Sequence, residues 1–141
     1  ELEEQKGVRA VAILNEIAAG LKTSAQIQSN LAFAITVKCD DVCLNLDVAA
    51  PIAFMTVELA DMIITSGANE PLTLSLKQLD NDPCQARYIL DSPMFQQTAL
   101  ASAHDAELCQ RVLDGLARQL RTPLDHDAAQ GQYSIVIPVL E

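Results

Sequence analysis

The stretch APIAFMTVELADMIITSG, residues 50–67, predicts the element around which the fold is organised. Apolar residues occupy nearly the whole circumference of a helix here, which indicates a helix buried by its neighbours. Pro51 suits the first turn of that helix, and Gly67 suits its C-terminal cap. The polar residues of the stretch recur at helical spacing and share one face: Glu58, Asp61 and Thr65.

The segments around this helix repeat an order of one helix followed by two strands. Helices are predicted at 2–22 and 104–121, strands at 29–38 and 41–48, and hairpins at 71–80 with 85–92 and at 123–127 with 131–140. Asp105 is a candidate cap for the last helix. This order predicts an α/β (α+β) fold: a two-layer sandwich whose mixed, largely antiparallel sheet is covered on one face by helices, with an N-terminal helix.

The composition excludes several classes of partner. Half of the 141 residues are hydrophobic, only 4% are aromatic, and the net charge is -10. Such acidity argues against nucleic acid and against an anionic membrane surface, and it is compatible with basic protein partners or with solubility alone. The longest apolar run, at 49–64, is interrupted by Glu58 and Asp61, so no membrane span is expected.

The N-terminal residues and the cysteines indicate the cellular compartment. The opening ELEEQKG is acidic and unlike a signal peptide, so a cytoplasmic protein is expected, and the missing initial Met is compatible with a fragment. The cysteines are Cys39, Cys43, Cys84 and Cys109. Neither histidine stands at a matching metal-ligand spacing, so reduced thiols are predicted rather than a metal or redox site.

Several stretches together resemble a known family. They are LDVAAPIAFMTVELADMIITSGA (46–68), ARYILDSPMF (86–95), LCQRVLDGLARQL (108–120) and GQYSIVIPVL (131–140). In order and pattern they are similar to the ATP-binding domain of sensor histidine kinases, the GHKL or Bergerat fold, and most similar to its HWE-type branch. GVRAVAILNEIAAGL (7–21) resembles the last dimerisation helix before such a domain. The resemblance implies an N-terminal helical segment at 1–29 and a GHKL-like domain at 30–141.

The first site residues that the resemblance implies lie on the buried helix. Glu58 matches the first polar position of the family's N-box helix. Met62 takes the position of the asparagine that faces Mg²⁺, and a thioether is a poor ligand for a cation that prefers hard oxygen atoms. Asp61 lies about 100° around the helix from Met62, so it substitutes only if the register shifts.

The remaining site residues follow the strand at 85–92. Asp91 matches the aspartate that binds the adenine amino group, although a solvated aspartate at a strand end is an equal interpretation. Pro93 and Phe95 take the places of glycines in the family's D-x-G-x-G motif, where the backbone approaches the ligand. No glycine occurs from Ser92 to Asp105, where the phosphate lid would lie. The resemblance thus implies a vestigial nucleotide site: Glu58, Asp61, Met62, Asp91 and Ser92.

Three functions remain open. The first is a degenerate domain of two-component signalling, which acts as a regulatory or phosphotransfer-associated module without efficient ATP hydrolysis. Such a module would bind a response regulator or its own dimerisation helices, and a homodimer is possible. The alternative is an active histidine kinase with a divergent pocket, using ATP and magnesium. The third is a different ligand or a thiol switch at Cys39 and Cys43. No catalytic residue or metal ligand is assigned, because His104 and His126 are expected to be surface residues rather than phosphoacceptors.

Overall fold

The computed structural model describes residues 7–67, 69–96 and 103–140. The helices are α1 (Ala10–Ser29), α2 (Leu46–Ser66) and α3 (Ala103–Leu120). The strands are β1 (Val8–Arg9), β2 (Ile35–Cys39), β3 (Cys43–Leu44), β4 (Leu72–Leu79), β5 (Asp82–Asp91), β6 (Asp125–Asp127) and β7 (Gln132–Pro138). A 3-10 turn at Pro93–Gln96 follows β5.

The main sheet has five strands in the order β2-β4-β5-β7-β6. Strands β2 and β4 are parallel, and the other three pairs are antiparallel. Along β4, β5 and β7, alternate side chains are buried under the helices, and the intervening ones lie on the other, open face. The predicted two-layer sandwich with a mixed, largely antiparallel sheet is therefore confirmed.

Helix α2 is the central element, as the sequence predicted, but it begins earlier. The side chain of Asn45 accepts a hydrogen bond from the backbone N–H of Asp47, 2.9 Å away, and so caps the helix at Leu46. The expectation that Pro51 opens the helix is wrong, because Pro51 lies inside it. Its missing N–H leaves the carbonyl of Asp47 without the usual intrahelical donor.

By length and composition alone, α2 would be long and apolar enough to cross a membrane, contrary to the expectation drawn from Glu58 and Asp61. In the fold it packs against α1 and α3, and ten of its residues are buried, as in the core helix of a globular domain. Its apolar circumference is thus accounted for by internal packing.

The ends of other predicted elements are corrected. Gly7 has a left-handed backbone, and β1 pairs with β3 before α1 starts at Ala10. Residues 2–6 of the predicted first helix lie outside the described residues. The strand predicted at 41–48 is only Cys43–Leu44, because Asn45 ends it by capping α2. Asp105 lies within α3 rather than at its cap.

One hydrophobic core joins α1 to the rest of the domain. Leu14, Ala18 and Leu21 of α1 are buried in the same cluster as Ile52 and Leu59 of α2. Val8, Val11, Ile13 and Ile17 are half-buried. The buried face of α1 therefore covers its own domain, and a dimerisation role for α1 stays a prediction.

Candidate functional site

A buried hydrogen bond joins the central helix to the sheet. Thr56 on α2 donates to the carbonyl of Ile52, 2.8 Å away, so the hydroxyl of Tyr88 on β5 is the donor in its 2.6 Å contact with Thr56. Burial raises the pKa of Tyr88 above its ordinary value, so the hydroxyl keeps its proton for this bond. Thr56, which sequence reasoning did not single out, therefore links α2 to β5 by a buried hydrogen bond.

The predicted polar stripe lies at the contact between α2 and α3. Glu58 and Met62 are half-buried, Asp61 is exposed, and Met62 packs against the hydrophobic core. Helix α3 packs directly against α2. The position expected to face a metal ion is therefore occupied by a sulfur-containing side chain that contributes to apolar packing.

Cys109 of α3 lies close to this stripe. Burial raises the pKa of its thiol to about 11, and the negative charges of Glu58 and Asp61 add to the increase. Burial also raises the pKa of Tyr133 on β7, with Cys109 contributing. The thiol thus lies within electrostatic range of both α2 and β7.

The two residues predicted at the end of β5 point in different directions. Asp91 is out of phase with Tyr88 and Leu90, which are buried, and therefore lies on the open face of the sheet. There its carboxylate accepts a hydrogen bond from the side-chain amide of Gln132, 3.0 Å away. The structure therefore does not bring Asp91 together with Glu58.

Ser92, in contrast, is buried and organises the turn that follows. Its backbone N–H donates to the carbonyl of Gly131 at 3.0 Å. Its side-chain oxygen accepts from the N–H of Met94 at 3.2 Å, and its carbonyl accepts from the N–H of Phe95 at 3.0 Å. These bonds fix the 3-10 turn where the family has a glycine-rich motif.

The turn Pro93–Gln96 places two large side chains in the interior. Met94 is 7% exposed and Phe95 is fully buried. The ring of Phe95 packs edge-on against Tyr133, with centroids 5.0 Å apart and planes at 84°. This is the geometry that aromatic pairs favour, because the positive edge of one ring meets the negative face of the other.

His126 secures the same turn from the sheet edge. Its imidazole stacks on Tyr133, with centroids 4.1 Å apart and planes at 6°. Its Nε2 lies 2.8 Å from the carbonyl oxygen of Phe95, and since a carbonyl only accepts, Nε2 carries the proton and donates. His126 lies in strand β6, within the segment 123–127 that was predicted as part of the last hairpin, and it has this structural contact.

The structure thus groups a cluster that the sequence did not anticipate. We call Ser92, Met94, Phe95, His126 and Tyr133 the aromatic plug. The inward phase of Tyr133 along β7 was readable from the alternation. The contact between β6 and the turn spans 31 residues and has no local signal. Residues 97–102 of the glycine-free lid segment lie outside the described residues.

The cysteines are free thiols in the structure. Among the described residues, no group of three or more His, Cys, Asp or Glu side chains is arranged to hold a metal ion. Burial, with the charges of Asp40 and Asp41, raises the pKa of Cys39 to about 11. Cys39 therefore differs from the acidic thiol of a reactive redox motif, whose pKa is lowered.

We expect Cys84, which is exposed, to react first with a disulfide reagent at pH 8. Cys39 and Cys109 should react at least about tenfold more slowly, because a pKa raised from 9.0 to about 11 lowers the thiolate fraction by about 100-fold. Mass spectrometry of the labelled peptides measures this order, and Cys84→Ser should remove the fast phase. Equal rates for Cys84 and Cys109, or fewer than four thiols after denaturation, would contradict the expectation.

The same shifts predict a pH dependence of stability. A folded-state pKa above the ordinary value means that the fold favours the protonated thiol. The contribution of Cys39 and Cys109 is therefore complete below pH 9 and is lost as the pH rises toward 11. Urea unfolding at several pH values measures this change. A free energy of unfolding that rises between pH 9 and about 11 would contradict the expectation.

The architecture is that of a histidine kinase catalytic domain. The blue-light activated histidine kinase EL346 of Erythrobacter litoralis is similar over 89% of this chain, with a TM-score of 0.69 and 16% identity. The Acinetobacter baumannii histidine kinase AdeS matches 95% of the chain at a TM-score of 0.65 and 12% identity. The mycobacterial sensor histidine kinase MprB matches 94% at 0.64 and 11%.

These comparisons confirm, at the level of the fold, the resemblance inferred from the sequence. The chain spans 44% of the EL346 structure, 66% of the AdeS structure and 96% of the MprB structure. No protein-family model and no curated protein matches the sequence.

Proposed function

We propose that this domain is a degenerate histidine-kinase-type module of two-component signalling. It is a regulatory or phosphotransfer-associated module that lies in the cytoplasm. It does not hydrolyse ATP efficiently. The observation that carries the proposal is the aromatic plug, since Phe95 is fully buried where the family's motif requires glycine.

The plug does not fit a bound triphosphate. Glycines serve in such motifs because the backbone must approach the phosphates closely. Here Pro93 offers no N–H to a ligand, and the N–H groups of Met94 and Phe95 are already bonded to Ser92. Binding a nucleotide would require the turn to break these bonds and expose Phe95.

The metal position does not fit either. Magnesium requires near-octahedral oxygen ligands, and Met62 offers a thioether that packs against the core. Asp61 is exposed one residue further back on the helix. Asp91, the proposed adenine contact, is bonded to Gln132 on the open sheet face. The turn, the metal position and the adenine contact thus each disfavour a bound Mg-ATP, and we derive no reaction step through magnesium or ATP.

The role of the module is proposed to be protein binding. Leu46, Phe54 and Val57 are large apolar side chains that lie exposed on α2, and Phe54 is 63% exposed. Exposed apolar side chains grouped on one element favour contact with another protein. A response regulator or the dimerisation helices of the same protein are the partners that the family would supply, and a homodimer is compatible with this surface.

Millimolar Mg-ATP is expected to leave the melting temperature of the domain unchanged. A ligand present at 100 times its Kd would stabilise the fold by about 2.7 kcal/mol, which would raise the melting temperature of a domain of this size by roughly 8 °C. Differential scanning fluorimetry with Mg-ATP, and with MgCl₂ alone as a control, measures the difference. A saturable increase of several degrees would favour the alternative, an active kinase with a divergent pocket.

A further inference from the structure

Strand β2 forms one edge of the main sheet. It pairs with β4, and within the described part of the chain no strand lies on its other side. The carbonyl of Ala34 accepts from Leu72, and the N–H of Asp40 donates to Leu76, each at 2.9 Å. Because backbone groups alternate in direction along a strand, those of Ile35, Val37 and Cys39 point away from β4. These three residues present a row of unpaired donors and acceptors.

A groove runs beside this edge. Its volume is about 510 Å³, and it is open to solvent. Lys22 and Gln26 of α1 form one wall, and the chain from Leu31 to Thr36 forms the other. Since the groove includes Ile35 and Thr36 themselves, an added strand would place alternate side chains against its apolar wall. A free backbone edge and an adjacent side-chain groove are the two features that strand-adding recognition sites combine.

Two lysines lie along this edge, although the chain is acidic overall and Asp40 and Asp41 follow the C-terminal end of β2. Lys22 and Lys38 are exposed. In the described regions, neither lysine has an ion-pair partner, even though the net charge of the chain is -10. Lys38 lies on the open sheet face, where the alternate side chains of an added strand would also lie. An acidic residue there would have a cation within reach.

We propose that β2 binds an extended segment of a partner protein that alternates apolar and acidic residues. The segment adds a sixth strand through the backbone groups of Ile35, Val37 and Cys39. Its apolar side chains enter the groove against Leu31 and Ile35, beside the stem of Lys22. Its acidic side chains lie on the open face, where they meet Lys38. This goes beyond the proposed function and does not depend on whether the domain binds nucleotide.

A fluorescein-labelled decapeptide that alternates isoleucine and aspartate tests the proposal by fluorescence anisotropy. Saturable binding is expected, and it should weaken at least about fivefold in Lys38→Glu, because an attractive pair becomes repulsive. Arg87→Glu carries the same change of charge on the open face, two strands away, and should change the Kd by less than about twofold. Equal losses in both variants, or no saturable binding, would overturn the proposal.

Two further measurements test the backbone pairing itself. A peptide N-methylated at alternate residues keeps its side chains but cannot pair, and it should lose binding. In amide hydrogen exchange, the peptide should slow exchange at Ile35, Val37 and Cys39 and leave the β6 edge unchanged. Binding of the methylated peptide at the original affinity, or exchange at β2 that the peptide leaves unaltered, would contradict strand addition. Both readouts use the unaltered protein, so they do not depend on a variant that folds.

Discussion

Phe95→Ala is expected to lower the free energy of unfolding by about 3–5 kcal/mol, the range observed when a fully buried phenylalanine is removed from a core. Phe95 is 0% exposed, and its ring packs edge-on against Tyr133. The substitution removes that contact and leaves a cavity that the backbone bonds of Ser92 prevent from collapsing fully. Chemical denaturation monitored by circular dichroism gives the difference in free energy.

Phe54→Ala is the matched control for this loss. Phe54 is the same residue type, but it lies on the outer side of α2 and is 63% exposed. Its removal should change stability by less than about 0.5 kcal/mol, as for surface positions in general. If Phe95→Ala and Phe54→Ala were equally mild, the aromatic plug would not be part of the core, and the argument against a nucleotide pocket would lose its main support.

Gly131→Ala is expected to lower stability by about 2–5 kcal/mol, since a left-handed backbone costs a side chain about 1–3 kcal/mol and overpacking adds a similar amount. Gly131 has a φ of +72°, and a Cβ atom there would lie 2.6 Å from the carbonyl oxygen of Ser92. That approach lets the Gly131 carbonyl accept the N–H of Ser92. The substitution therefore disturbs the turn that holds Phe95.

Gly20→Ala makes the same chemical change where nothing opposes it. Gly20 lies in the interior of α1, and a Cβ atom added there meets no atom within 4 Å. Because alanine is the better helix former, this variant should be more stable by about 0.5–1 kcal/mol. The two variants should thus shift the unfolding midpoint in opposite directions. A neutral Gly131→Ala would mean that the turn can move away from β7.

The fold was predictable because its main signals are local. Helix α2 is marked by an apolar circumference, and β4 by the alternation of Leu72, Leu74 and Leu76 with polar residues. The start of α2 was missed because Asn45 both ends a strand and caps the helix, whereas Pro51 offered a more obvious but misleading signal. Helix caps depend on one side chain, and several nearby residues can compete for the role.

The candidate site was less predictable because its contacts are distant in sequence. Thr56 meets Tyr88 across 32 residues, and His126 meets Phe95 across 31. No periodicity reports which polar residues of two elements will pair. The direction of Asp91 was readable, because it is one residue out of phase with Tyr88 and Leu90, but aligning it with a family motif hid that phase.

Titrating the ¹⁵N-labelled domain with Mg-ATP and recording amide spectra tests the central claim most directly, because it reports binding residue by residue. The aromatic plug predicts that the amides of Glu58, Met62, Ser92 and Phe95 keep their positions at millimolar nucleotide, with MgCl₂ alone as the reference. Saturable shifts that converge on α2 and the turn at Pro93–Gln96 would instead show that a nucleotide displaces Phe95, and would contradict the account.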